Sequence, residues 1–141
     1  MSDTPRAELQ NFLNNWTQDA NKVKSYFEEA YALLSSESDI ELEFKGRPGI
    51  SYSLRARHRA QNKRPLFVLV DVIDDDPSAR WLSICFYADL VRDPEELGDI
   101  VPGGLMGEDA CCFDIEEPDD AVRSYIMARI AEAADAAAQK A

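Results

Sequence analysis

Ile40-Glu-Leu-Glu-Phe-Lys-Gly-Arg-Pro-Gly-Ile-Ser-Tyr-Ser-Leu-Arg55 is where the chain changes from a helical to a two-residue rhythm. Ile40, Leu42 and Phe44 alternate with Glu41 and Glu43; Ile50, Tyr52 and Leu54 alternate with Ser51, Ser53 and Arg55. Successive strand side chains point to opposite faces, so each run reads as a strand with one buried and one wetted face. Lys45-Gly-Arg-Pro-Gly49 between them supplies turn residues, which makes the pair a hairpin. Apolar residues meet apolar partners only if the loop has an odd length, three or five residues. An even loop would set Glu43 beside Tyr52.

Further along, Leu66-Phe-Val-Leu-Val-Asp-Val-Ile73 is β-branched and apolar on both faces, the pattern of a central strand. Asp74-Asp-Asp-Pro-Ser-Ala79 is a turn, and Trp81-Leu-Ser-Ile-Cys-Phe-Tyr87 its antiparallel neighbour. A short helix is expected around Pro94 to Leu97, then a loop from Val101-Pro-Gly-Gly104 through Met106-Gly107, then a fifth strand from Ala110 to Ile115.

Helices flank this region. Thr4-Pro5 has the form of an N-cap followed by proline at the first helical position. Leu9, Phe12, Leu13, Trp16, Ala20, Val23, Phe27, Ala30, Tyr31 and Leu34 then recur at three- and four-residue intervals, one buried stripe. Asn11, Asn14, Asn15 and Asn21 weaken the helix and place a break near Thr17 to Asn21; Ser35 to Asp39 ends it. At the other end Pro118-Asp-Asp120 sets acids at a helix N-terminus, where they complement its dipole. Val122, Tyr125, Ile126, Ile130, Ala133 and Ala137 carry that helix onward.

The predicted fold is therefore a single α+β domain over residues 1–141. It is a two-layer sandwich with an N-terminal helix, an antiparallel meander of about five strands and a C-terminal helix, in the order α-β-β-β-β-(short α)-β-α. Both helical segments lie on one sheet face. This element order loosely resembles small frataxin-like domains and, more distantly, the acidic secretion chaperones. The resemblance includes no sequence motif and implies no functional residue.

Composition narrows function. A chain of 141 residues, 45% hydrophobic and 30% charged, is long enough to bury a core without a metal or disulfide. The opening residues lack the basic start and apolar run of a signal peptide, and no apolar stretch reaches membrane-spanning length, so a cytoplasmic protein is expected. Three cysteines, Cys85, Cys111 and Cys112, are an odd number without C-x-x-C spacing; reduced thiols are expected. A net charge of −12 disfavours nucleic acid and anionic membranes and favours cationic partners. The charge is segregated: Phe44 to Pro65 holds seven basic residues and no acid, whereas Asp71 to Asp120 holds sixteen acids against Arg80 and Arg92.

Candidate chemistry is sparse. Arg55, Arg57 and Arg59 follow period two and can line the outer face of the second strand as an anion- or partner-binding row, opposed by Glu41 and Glu43 on that face. Asp74, Asp75 and Asp76 offer oxygen ligands for iron or calcium, without the glycine and spacing of an EF-hand. Leu105 and Met106 form an exposed partner-contact loop. His58, the sole histidine, lies among arginines, a poor setting for developing an imidazolium. Cys111 and Cys112 point to opposite faces of a strand and so do not share one metal.

No catalytic constellation emerges, and no cofactor is implied. The leading expectation is a non-enzymatic interaction or adaptor protein that recognises another protein, itself included, through its charge asymmetry, with basic and acidic faces pairing head to tail. Divalent-metal binding by the acidic clusters is one alternative. An enzyme using carboxylates such as Asp71 or Asp89 is another.

Overall fold

The alternating stretch forms the expected hairpin. β1 (Ile40–Arg47) and β2 (Ser51–His58) pair antiparallel, Leu42 opposite Ala56 and Phe44 opposite Leu54, across the connection 48–50, which has the odd length that apolar matching demands. Gly49 takes a positive φ of 83° in that turn, a conformation that glycine adopts without a Cβ clash. Ile50, expected as the first inward residue of the second strand, belongs to the turn instead and is 64% exposed. Gly46 lies opposite Tyr52 in the inward row. A Cβ there would come within 2.9 Å of the Tyr52 ring, so glycine lets the ring lie across β1 and stack on Phe12 at 4.1 Å.

The computed structural model describes residues 3–139, with side chains from residue 6 onward; Met1-Ser2 and the capping side chain expected at Thr4 fall outside that description. The helical stripe divides where the asparagines predict, into α1 (Asp3–Asn15) and α2 (Lys24–Ser35). The break is a built junction. The Asp19 carboxylate accepts the N–H groups of Val23 and Lys24, both at 3.0 Å, satisfying donors that the start of α2 leaves without helical partners. The Asn21 amide donates to the carbonyls of Ala79 and Arg80, tying the junction to the far turn of the sheet.

β3 (Val68–Ile73) and β4 (Trp81–Tyr87) continue the meander. The chain then leaves it. It passes through a 3-10 turn at Ala88–Leu90, forms β5 (Asp99–Leu105) at the sheet edge, and returns as β6 (Glu108–Ile115) between β5 and β4, giving the order β1-β2-β3-β4-β6-β5. The sheet thus has six strands, all antiparallel, rather than about five: the expected loop from Val101 is largely β5, whose register with β6 shifts between Val101 and Leu105. Pro94 to Leu97 is not helical. Asp93 holds that segment as a turn by accepting the N–H groups of Leu97 and Gly98, and the short helical element lies at Ala88–Leu90 instead. α3 (Asp120–Gln139) closes the fold, with Asp119 accepting the Val122 N–H at its first turn.

Every strand of the meander turns the same kind of residue inward. Leu42 and Phe44, Leu54 and Ala56, Val68, Val70 and Val72, Leu82, Ile84 and Phe86, and Phe113 and Ile115 form one core with Leu9, Phe12, Trp16, Phe27, Ile126 and Ile130 of the helical side. All three helices pack on this face, with Phe12 against Phe44 and Tyr125 against Phe113. The helical layer is joined across by Arg123 of α3, which donates to Glu29 of α2 at 2.9 Å. Among the described residues, no helix is long and apolar enough to cross a membrane.

A buried ion pair from the β3–β4 turn packs against this layer. Arg80 Nε donates to Asp74 Oδ1 at 2.6 Å, the carboxylate being 3% and the arginine side chain 11% exposed, while Asp74 Oδ2 accepts the Gly49 N–H at 2.8 Å. The guanidinium stands 5.2 to 5.5 Å from the ring centroids of Phe12, Trp16 and Tyr52, a cation bounded by aromatic rings. Removing one partner strands the other charge in the core, so Arg80→Met is expected to cost about 3–5 kcal/mol in urea unfolding. The double variant Arg80→Met/Asp74→Asn should recover a large part of that loss, since the Asn oxygen can still accept from Gly49. A double variant no more stable than Arg80→Met would show that the charge pair is not the reason.

Candidate interaction surface

Among the described residues, no helix lies on the second face of the sheet. Antiparallel alternation sends every other residue there, and the register aligns them in rows across the strands. One row reads Arg47, Ser51, Ile73, Trp81. The next reads Lys45, Ser53, Asp71, Ser83, Asp114, and the third Glu43, Arg55, Leu69, Cys85, Cys112, Asp99. The centre on β3 and β4 is half-buried and largely apolar or small, with Leu69, Ile73, Trp81, Ser83 and Cys85. Its β1–β2 side is basic, and its β6–β5 side is acidic.

The fourth row is covered. The loop after β2 folds back over it: the buried Gln61 accepts the His58 N–H through its side-chain oxygen and donates to the Leu66 carbonyl, and Phe67 N–H returns to the Ala56 carbonyl. Arg64, in this loop, lies 4.2 Å above the ring centroid of the fully buried Tyr87 and donates to both Asp89 and Glu108. The loop therefore closes one end of the face and leaves three rows open.

The three arginines expected to form a binding row have separate fates. Arg55 lies on the open face, opposite Glu43 and within electrostatic reach of Asp71. Arg57 shares that face but is occupied by Glu41 at 2.7 Å and by the Gln61 carbonyl at 2.6 Å. Arg59 lies past the end of β2, and its guanidinium approaches the Ser38 carbonyl at 3.5 Å, so the row does not extend to it. Lys45 and Arg47, which the sequence reading did not single out, join Arg55 as the basic rim. Their parity in β1 was the signal that could have found them.

The acidic triplet also separates. Asp74 is the buried partner of Arg80; Asp76 accepts the Ser78 N–H and hydroxyl within the turn; Asp75 is exposed. Among the described residues, no group of three His, Cys, Asp or Glu converges to hold a metal ion. Leu105, expected to be exposed, is 4% exposed, while Met106 beside it is 53% exposed at the β5–β6 turn. The Nδ1 of His58 accepts the Ala60 N–H, a local structural bond at the strand end. The cleft that His58 helps to line between α2 and α3 holds about 160 Å³, with Leu33, Leu34 and Ile130 as its apolar walls.

Two carboxyls report the electrostatics of the open face. Burial pushes the Asp71 carboxyl above its ordinary range, against the pull of a hydrogen bond from Ser53 and the charges of Arg55 and Arg47. Asp114 is exposed, but partial desolvation against the sheet pushes it up as well, and the nearby charges of Glu116 and Asp99 push it further. Asp71 therefore lies in the field of the basic rim, whereas Asp114 lies among acids. Asp71 and Asp114 share a row with Ser83 between them.

Cys85 and Cys112, directly opposite on β4 and β6 with Cα atoms 4.1 Å apart, are joined by a disulfide in the middle of this face. The expectation of three reduced thiols is corrected here. A meander sets the strand from Ala110 beside Trp81–Tyr87, but the register that places Cys85 opposite Cys112 is not fixed by the length of the intervening loop. Cys111 points to the opposite face, as its place in a strand predicted, and is the buried free thiol. Comparison of the chain with family models, with curated proteins and with solved structures finds no match, so the likeness of element order to frataxin-like domains and secretion chaperones gains no support there.

Two measurements check this geometry. Thiol titration in denaturant should find one reactive cysteine without reductant and three with it; three in both cases removes the cross-strand bond. Asp71→Asn keeps an acceptor for Ser53 and removes a buried charge, so it should raise the melting temperature at pH 7. Because burial holds the Asp71 carboxyl above its ordinary value in the folded state, the wild-type penalty is present when the carboxyl is ionised and fades as pH falls through that raised value. The advantage of Asp71→Asn should therefore shrink on acidification. An advantage that is constant or grows at low pH contradicts the assignment.

Proposed function

We propose that this chain is a non-catalytic interaction protein whose working surface is the open face of the sheet. The observation that carries the reading is the ordering of that face: basic rim, half-buried apolar centre, acidic rim, with no helix over it among the described residues. A partner protein that covers the centre gains burial of Leu69, Ile73 and Trp81, while the two rims select its orientation by charge. Two functions lose support by the same reasoning. The acids of the expected metal site are dispersed among structural roles. Asp71 faces Ser53 on the sheet, and Asp89 binds Arg64 at the loop, so the two carboxylates named as candidate catalysts serve different parts of the structure.

Site-specific photo-crosslinking in cells expressing the chain tests the reading. A crosslinking residue at Ser83, in the middle of the open face, should give protein adducts. The same residue at the exposed Ala128, on α3, should give few. Equal adducts from both positions, or none from Ser83, would overturn the open face as the working surface.

A further inference from the structure

The open face is bipolar about its own midline. Lys45, Arg47 and Arg55 outweigh Glu43 on β1 and β2; Asp99 and Asp114 lie on β5 and β6, with Glu116 just beyond; β3 and β4 lie between. The sequence suggested opposite charges on two different faces and therefore a head-to-tail chain of molecules. The sheet order places both on one face, which changes the geometry of pairing.

Consider two copies stacked face to face about a twofold axis. With the axis parallel to the strands and passing between β3 and β4, the rotation exchanges the two sides of the sheet. β1 then faces β5 of the second copy, β2 faces β6, and β3 faces β4. The rim of net positive charge on each copy lies over the acidic rim of the other, twice; row for row Glu43 faces Asp99, and Arg55 beside Glu43 offsets that contact. An axis perpendicular to the strands does the opposite and sets acid on acid. Charge therefore selects one of the two symmetric stackings, and that stacking brings Ile73 and Leu69 of one copy over Trp81 and Cys85 of the other.

The face fits a small interface. Three open rows, about five residues on each of five strands at ~4.8 Å spacing, give a projected area on the order of 400 Å². That is the size of the smaller, weakly associating interfaces, so the pair forms at high protein concentration. A closed twofold pair also uses up the patch, so assembly stops at two.

From this we propose that the partner covering the open face is a second copy of the chain, paired face to face about a twofold axis parallel to the strands. This rests on the open face being the working surface and names its occupant. Each copy carries a net charge of −12, so salt screens both the rim-to-rim attraction and the overall repulsion. Charge exchange between the rims, rather than ionic strength, therefore reads the contact.

The experiment uses two double variants of the full chain. Lys45→Glu/Arg47→Glu makes both rims acidic, and Asp114→Lys/Glu116→Lys makes both basic; all four positions are exposed, and circular dichroism checks that each variant is folded. Light scattering after size exclusion and sedimentation velocity, from micromolar to near-millimolar protein, should show a wild-type dimer. Each double variant alone should associate about ten-fold or more weakly. An equimolar mixture should recover a heterodimer, because acidic rims then face basic rims at both ends.

Three results overturn the proposal: a wild-type chain that is monomeric throughout, a dimer indifferent to both double variants, or variants that fold but form no heterodimer on mixing. A monomeric wild type whose Ser83 position still crosslinks to a different protein would retain the open face as the working surface and reject the second copy as its occupant.

Discussion

The buried pair of Asp74 and Arg80 holds together segments that the chain brings in from four places. Its carboxylate receives the Gly49 N–H of the first hairpin turn, its guanidinium is bounded by Phe12 and Trp16 of the N-terminal helical side and by Tyr52 of β2, and its two members start and end the β3–β4 turn. Desolvating two charges costs several kcal/mol each, so the pair is not a source of net stability by itself. What it contributes is orientation. An ion pair bounded by three rings is satisfied in only one arrangement of helix, turn and sheet, whereas a purely apolar corner tolerates sliding. That corner fixes the N-terminal helices on one face of the sheet. The other face is left to neighbours from outside.

The same pair accounts for much of what the sequence conceals. Asp74 to Asp76 reads as a solvated or metal-binding run because three adjacent acids look alike in one dimension. In three dimensions the first is internal, the second is exposed and the third closes its own turn. Arg80 stands between a turn and a strand, with no periodicity to say that its side chain enters the core. Local rules state which residues favour turns; they do not state which turn packs beneath a helix.

The strands with alternating residues were legible because a single period decides which side of each is buried. Phe44 against Leu54 and the odd-length turn follow from that alone. β5 was not legible. Asp99–Leu105 contains Pro102 and two glycines, and its Ile100 and Val101 are 61% and 41% exposed, as an edge strand permits and a central strand does not. A meander already sets the strand from Ala110 beside β4; what the sequence does not state is the register that puts Cys85 opposite Cys112. The basic rim was half legible, since Arg55 was found by parity. Lys45 and Arg47 were assigned to the turn because glycine and proline surround them, although β1 runs through to Arg47.

Topology converts a linear segregation of charge into a spatial one. The basic segment of the sequence supplies one edge of the sheet, and the acidic segment supplies β6 and β5 at the other, because the chain runs out to the edge before it returns. The disulfide between Cys85 and Cys112 spans the junction of centre and acidic side, linking β4 to β6 in the middle of the open face. A cross-strand bond at that point restrains the relative movement of the two sides. The spacing between opposite charges is then set before any partner arrives, so binding forfeits less conformational freedom than a pliable sheet would lose. An arrangement of charges held in this way distinguishes partners by geometry as well as by sign.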